Sequence, residues 1–429
     1  MRCILIALGL LMIVSCTPST TEVERPINRA ESSIAEKDEN TLEGYVSVGD
    51  AALDEGDFSE AIRAYTQALE QAPSDTQLLA KRASAYAGLG DSKNALGNYE
   101  RAIALNPSDA SLYFGRGQVY AAKGQTAEAL RDFNTAIRLN GSLADAYYAR
   151  GVLRLEAEQY AAAVDDFDTT LRLDANHALA YFQRGTAQFE RANYNEAVAD
   201  LTAFLELDPS SGAAYLQRAQ AYSELGEEDL ALFDYDQYIS LQPNNAFAYL
   251  GRSVARQNAG FEDAALADLA TALEIEPDNV FVYQRRAGLY QKLGNFGAAI
   301  SDFGRAITID PNNPFNFINR GSAYEAAGDL GRAIEDYSLA LNLEEDNTFA
   351  FNRRANAYVK AGELESALSD FTDLIFLKPN DANLYYQRGL VHLKLEHTRT
   401  AKADLEKASS LSQDASLSEK INTVLADLD

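Results

Sequence analysis

Apolar residues recur along this chain in a fixed rhythm. From Leu42 to Ala415 the order of apolar, small and polar positions repeats every 34 residues, eleven times, with no insertion or deletion. Large apolar residues lie three and four apart in two stretches of each repeat, which predicts two amphipathic helices per repeat. One alanine marks every second helix: Ala61, Ala95, Ala129, Ala163, Ala197, Ala231, Ala265, Ala299, Ala333, Ala367 and Ala401. An aromatic marks the first helix from Tyr45 to Tyr385, with Leu79 the one aliphatic substitute, and a small residue such as Gly117 or Gly151 follows it by four. Small residues at these slots let helices approach closely. Gly56, Gly90, Gly124, Gly226, Gly260, Gly294, Gly328 and Gly362 suit left-handed caps on the first helix. Pro73, Pro107, Pro209, Pro243, Pro277, Pro311 and Pro379 stop the second.

In the eighth repeat Tyr283, Ala287 and Tyr290 are followed by Gly294, Ala299, Phe303 and Pro311. This order of large, small, Tyr, Ala, Phe and Pro resembles the tetratricopeptide repeat (TPR) motif. The resemblance covers residues 42–415. It implies an all-α fold: a right-handed superhelical α-solenoid of eleven helix-turn-helix repeats, each burying its apolar face on its neighbours. Beyond the repeats, Ser416 and Glu419 form a capping-box pattern, and Leu417, Ile421, Val424, Leu425 and Leu428 make an apolar stripe. Residues 416–429 are therefore expected to form a helix that caps the array.

One slot departs from the commonest TPR pattern. Where leucine is usual, this chain has Arg82, Arg116, Arg150, Arg184, Arg218, Arg252, Arg286, Arg320, Arg354 and Arg388. Sixteen residues after nearly every arginine stands an acid: Asp132, Asp166, Asp200, Asp234, Asp268, Asp302, Asp336, Asp370 and Asp404. The first repeat has Val48 and Ala64 at these slots, and the second has Asn98 for its acid. An arginine beside the buried stripe needs a carboxylate, so each Asp is expected to bridge the Arg of its own repeat, of the next, or of both.

The TPR resemblance implies that first helices line a concave groove, where extended peptides or partner helices bind. Two apolar rows stand on those helices: Phe114, Tyr148, Phe182, Leu216 and Leu250, then Phe247, Phe281, Phe315 and Phe349. They read either as a shifting apolar ligand track or as packing between repeats. Arg285, Lys292, Arg353, Lys360 and Lys394 form a basic patch on the last four first helices. It reads as a seat for carboxylates or as solvated charge. The Lys and Asn pattern of carboxylate-clamp TPRs is not complete here.

The N-terminus carries a different signal. Arg2 precedes an apolar run from Ile4 to Val14, too short to span a bilayer, which takes roughly 20 residues. Residues 1–15 suit a signal peptide. Ile13-Val14-Ser15-Cys16 resembles the bacterial lipobox, which implies cleavage before Cys16 and acylation of that residue. Residues 16–41 are rich in Ser, Thr and Glu and read as a flexible tether. The resemblance implies a lipid-anchored envelope protein. Thr17 after the cysteine points to the outer membrane in a Gram-negative cell, and otherwise to the outer leaflet of the cytoplasmic membrane.

Composition narrows the function. The formal charge of −27 disfavours nucleic acid as a partner. Both cysteines, Cys3 and Cys16, precede the repeats, and His177, His392 and His397 read as packing or surface residues, not as a metal site. Adjacent acids such as Asp165 and Asp166 point apart on a helix. No enzyme and no cofactor are implied. The expected role is a protein- or peptide-binding scaffold of the envelope, or else a fixed subunit of an envelope, pilus or secretion machine. Nothing in the repeats sets an oligomeric state.

Overall fold

The computed structural model describes residues 40–428, so the expected signal peptide, Cys16 and nearly all of the tether lie outside it. Among the described residues there are 23 helices and no strand. The chain divides into two compact units, one ending at Gly226 and the other beginning at Glu227. The division falls inside the sixth repeat. The first unit stacks eleven helices, from Leu42–Asp54 to Gly212–Leu225; the second stacks twelve, from Glu228–Leu241 to Ala415–Ala426. Within each unit every helix packs on the next in sequence.

The marker alanines set the spacing. All eleven, from Ala61 to Ala401, are 0% exposed. A large side chain four residues later fills the space between paired helices, as Phe167, Tyr337 and Phe371 do at 0% exposure. Burying one such side chain stabilises by roughly 1.5–3 kcal/mol. The small residue on the first helix makes room for it: a Cβ at Gly151 would lie 2.7 Å from the Phe167 ring.

Helix ends follow from local chemistry. Asp75, Asn279, Asn313 and Asp381 each accept from backbone N–H groups at the start of a first helix. At the other end the Asn295 N–H donates to the Tyr290 carbonyl at 2.8 Å across Gly294, whose φ is +77°. Repeats four, five and eleven have no glycine there. Glu158, Ala192 and Glu396 take the same left-handed turn at φ of +58°, +59° and +62°.

The last helix begins two residues earlier than a Ser416 cap predicts. Its cap is Asp414, which accepts from the Ser416 and Leu417 N–H groups at 2.8 and 3.4 Å, so the expected Ser416–Glu419 box does not form. A Ser416 cap would accept instead from the Ser418 and Glu419 N–H groups; the carboxylate two residues upstream is the stronger acceptor and starts the helix earlier. Ile421 of this helix is buried on Leu405 and Ala408, with Leu417, Val424, Leu425 and Leu428 around it.

The strained turn is testable. Ala192→Gly relieves a left-handed alanine and is expected to stabilise the protein by about 0.5–1 kcal/mol. Gly294→Ala is expected to destabilise it by a similar amount, about 1 kcal/mol. Equal urea midpoints for Ala192→Gly and the parent would count against strain at this turn.

Candidate functional site

The arginine row is the first polar system that the helices assemble. Apart from that of Arg218, each guanidinium lies half-buried beside the second helix of its own repeat. In eight repeats Nε and Nη2 donate side-on to the two oxygens of one aspartate, as Arg116 does to Asp132 at 2.7 and 2.8 Å, and Arg354 to Asp370 at 2.8 and 2.8 Å. The pairs are Arg116–Asp132, Arg150–Asp166, Arg184–Asp200, Arg252–Asp268, Arg286–Asp302, Arg320–Asp336, Arg354–Asp370 and Arg388–Asp404. In these eight repeats the pairing stays within the repeat, and none of these eight aspartates pairs with the ladder arginine of the next repeat. Arg218 belongs to the first unit and Asp234 to the second.

The aromatic marker lies under every guanidinium of the row except that of Arg82, whose repeat has Leu79 in the marker slot. Arg150 sits 5.5 Å from the Tyr147 ring centroid and Arg252 5.4 Å from that of Tyr249. The aspartate's hydrogen bonds hold the Arg116, Arg286, Arg320, Arg354 and Arg388 guanidiniums above their ordinary pKa, against the opposite pull of burial. Arg82 provides the contrast. Its partner is the neutral Asn98 at 2.8 Å, and burial draws its pKa down.

A second set of acceptors links each repeat to the one before. Nη1 of Arg150 donates to Asn134 at 2.6 Å, that of Arg184 to Asp168 at 2.6 Å, and that of Arg218 to Thr202 at 2.9 Å. Arg82, Arg252, Arg354 and Arg388 reach Thr66, Asp236, Ser338 and Thr372 in the same way. For Arg286 and Arg320 the corresponding residues are Ala270 and Gly304, which offer no acceptor. Where Tyr gives way to Arg154 and Arg256, a second guanidinium reaches the same acid: Asp166 and Asp268, each at 2.8 Å.

The two apolar rows have different surroundings. Phe114, Tyr148 and Phe182 are half-buried against rings of their own second helices: Phe133 at 5.9 Å, Phe167 at 6.0 Å and Phe204 at 5.2 Å. Burial pushes the Tyr148 hydroxyl up to about 12. Leu216 is buried and Leu250 half-buried. This row is part of the packing between helices. The other row is open: Phe247 is 41% exposed, Phe281 64%, Phe315 54% and Phe349 49%. All four are the second residue of a first helix, in repeats seven to ten.

Residues at i, i+4, i+7 and i+11 from each of these phenylalanines share one face of the helix. In repeat eight this stripe reads Phe281, Arg285, Gly288, Lys292, and in repeat ten Phe349, Arg353, Asn356, Lys360. The basic patch is thus part of the phenylalanine face. Arg353 lies 5.1 Å from the Phe349 centroid. Lys360 pairs with Glu325 at 2.6 Å and Lys292 with Glu262 at 3.5 Å. Arg285, Arg353 and Lys394 form no ion pair with any described residue. Gln284 to Asn316 at 2.6 Å and Gln291 to Ser322 at 3.3 Å join the first helices of repeats eight and nine.

The same stripe in the first unit has the opposite sign. It holds Glu43, Asp50, Asp54, Asp145, Glu156, Glu190 and Glu224 against a single cation, Lys81, which pairs with Asp50 at 2.7 Å. From repeat seven to eleven it holds five cations and no acid. Residue-by-residue reading along the chain missed this reversal, because it shows only when one helical face is followed from repeat to repeat.

The histidines pack. His177 accepts from the Ala180 N–H at 3.2 Å and stacks 4.6 Å from Tyr148. His392 lies 5.8 Å from His397 and 3.9 Å from Asp404, and burial lowers its pKa. Among the described residues no group of three or more His, Cys, Asp or Glu side chains converges as metal ligands. No helix there is long and apolar enough to cross a membrane.

Three family models described as "Tetratricopeptide repeat" match residues 84–154; 49–96 and 182–246; and 282–313, 316–347 and 382–414, together more than half of the chain. Among solved structures the chain is similar to yeast Tom70, at 16% identity over 90% of this chain and 95% of that one, with a TM-score of 0.41. It is also similar to YrrB, described as a TPR protein with an unusual peptide-binding site, at 28% identity, 44% and 97% coverage and a TM-score of 0.40. A repeat protein from Parabacteroides merdae matches at 22% identity, 58% and 98% coverage and a TM-score of 0.40. Comparison with curated proteins gives no match.

The ladder's energetics are measurable by chemical denaturation. Asp302→Ala strands a half-buried guanidinium and is expected to lower stability by roughly 2–4 kcal/mol. Gly304→Asp supplies the acceptor that Arg320 lacks, and is expected to exceed Gly304→Ala in stability by about 0.5–1 kcal/mol. Identical stabilities for the two Gly304 variants would remove the link between neighbouring repeats.

Proposed function

On the premise that the chain belongs to the tetratricopeptide repeat family, we propose that it is a membrane-anchored interaction scaffold of the bacterial cell envelope. Proteins built from these repeats bind other proteins or peptides. In this chain the binding face is the exposed first-helix surface of repeats seven to ten. The observation that carries the reading is the row Phe247, Phe281, Phe315 and Phe349, each 41–64% exposed and each one repeat from the next. Aromatic side chains left open at a fixed interval are a poor solution for a free surface and a good one for a partner that covers them.

The anchoring half of the proposal rests on Ile13-Val14-Ser15-Cys16 after the apolar run from Ile4. Several acyl chains hold a protein on a membrane where one is marginal. A binding surface on a tethered body gathers partners at the membrane and needs no chemistry of its own.

Two experiments test the two halves. Labelled palmitate is expected to enter the parent protein and not Cys16→Ser, which should leave the membrane fraction; equal labelling of both would refute the anchor. Affinity purification from detergent-solubilised envelopes is expected to recover partner proteins with the parent and to lose them with Phe281→Ala/Phe315→Ala. Several substoichiometric partners mark an adaptor, whereas one stoichiometric complex marks a fixed subunit of an envelope machine.

A further inference from the structure

We propose that the first-helix face of repeats eight to eleven seats an acidic polypeptide segment bearing bulky apolar side chains. The assignment rests on the interaction role above and names the chemistry of its partner. The local charge comes first. A chain of formal charge −27 places five cations and no acid on this stripe between repeats seven and eleven. Drifting surface charge in so acidic a protein would scatter acids here, as it does on the equivalent stripe of the first unit.

The cations also have spare capacity. Arg285 and Arg353 form no ion pair with a described residue, although each ladder arginine beside them, Arg286 and Arg354, is bound side-on by its own aspartate at 2.7–2.8 Å. A guanidinium open to solvent binds a carboxylate through two parallel hydrogen bonds. Each of these arginines stands one helical turn from an exposed phenylalanine, and Arg353 lies 5.1 Å from the Phe349 centroid. An incoming chain thus meets an apolar ring and a cation side by side on one helical face. Repeat nine has a neutral column, Phe315, Asn319, Ser322 and Ala326. Charged columns therefore flank an apolar and amide-lined one, which suits a ligand with acids on either side of a bulky apolar residue.

A narrow segment fits this face better than an anionic bilayer. The cationic stripe is one helical face wide, and charges act over only about 8–10 Å at physiological salt. A peptide can follow the stripe and stay clear of the surrounding acids. A flat, negatively charged sheet would meet them.

The test uses the full chain in nanodiscs of neutral lipid and a fluorescent synthetic peptide of glutamates interspersed with leucines. Anisotropy should report binding that weakens as salt rises from about 50 to about 300 mM. Affinity is expected to fall about tenfold or more in Arg285→Glu/Arg353→Glu and in Phe281→Ala/Phe315→Ala. It should be unchanged in Glu190→Lys/Glu224→Lys, and these exposed substitutions should leave the thermal transition in place. Equal binding of a lysine-for-glutamate peptide, no binding of the acidic peptide, or indifference to both sets of variants would overturn the assignment. So would binding of phosphatidylglycerol vesicles in place of the peptide, or a doubling of mass that the same substitutions abolish. Failure here is separable from failure of the scaffold role. If only this assignment is wrong, envelope partners co-purify equally with parent and Arg285→Glu/Arg353→Glu; if the role is wrong, they do not co-purify with the parent.

Discussion

A guanidinium that is half inside the protein must be satisfied on every side, and the repeats are arranged around that need. The arginine's stem lies among apolar residues, its face rests on the aromatic marker, and its Nε and Nη2 edge is taken by an aspartate of the same repeat. The remaining nitrogen reaches back to the preceding repeat in seven places, from Arg82–Thr66 to Arg388–Thr372. One side chain therefore fixes the pairing of two helices and the docking of that pair on its neighbour. A leucine at this slot would bury more apolar area, but it has no direction. The arginine adds orientation, and that is what keeps an array of nearly identical units in register.

This also explains where the ladder is weakest. Ala270 and Gly304 remove the backward acceptor for Arg286 and Arg320. The stacking of repeats eight and nine on their predecessors then lacks the ladder's backward hydrogen bond, and its polar ties are Lys292–Glu262 for repeat eight and Gln284–Asn316 and Gln291–Ser322 for repeat nine. These two repeats also hold Phe281 and Phe315, the most exposed of the phenylalanine row at 64% and 54%. The most exposed part of the phenylalanine row is thus carried by two repeats whose ladder arginines have no backward acceptor.

Much of the fold was legible in the chain itself. Helix pairs, the buried alanines and the left-handed glycines follow from periodicity and from backbone sterics, which act locally. The aspartate slot was legible because nine of the eleven repeats fill it with the same residue type, but which repeat's arginine it meets was not. The backward acceptor was not, since Thr, Asn, Asp and Ser fill it in turn and share only an oxygen at the right height. Ala192 gives no sign of its positive φ, because tertiary packing imposes the turn that glycine takes freely elsewhere. Asp414 outcompeted Ser416 for a reason visible in the sequence, but only once carboxylate and hydroxyl were weighed as caps. The two apolar rows looked alike because helical period reports which side a residue faces, not how far the neighbouring helix covers that side. Phe182 meets Phe204 at 5.2 Å, whereas Phe281 meets solvent.

Charge segregation resolves an apparent conflict between solubility and stickiness. Four exposed phenylalanines in one line would promote association in a neutral protein. Here the chain as a whole is strongly acidic, which sets copies against one another electrostatically, while in the proposed complex a thin acidic segment is drawn to the local cations. In the proposed complex the local cations, not the surrounding acids, act as the filter at the aromatic row: beside them an acidic segment is favoured over a basic one. Because the phenylalanines stand on helices already ordered by the arginine ladder, little conformational entropy is lost when they are covered. The ladder and the binding face are in this sense one device, with arginines turned inward to hold the helices and arginines one residue earlier turned outward to receive a partner.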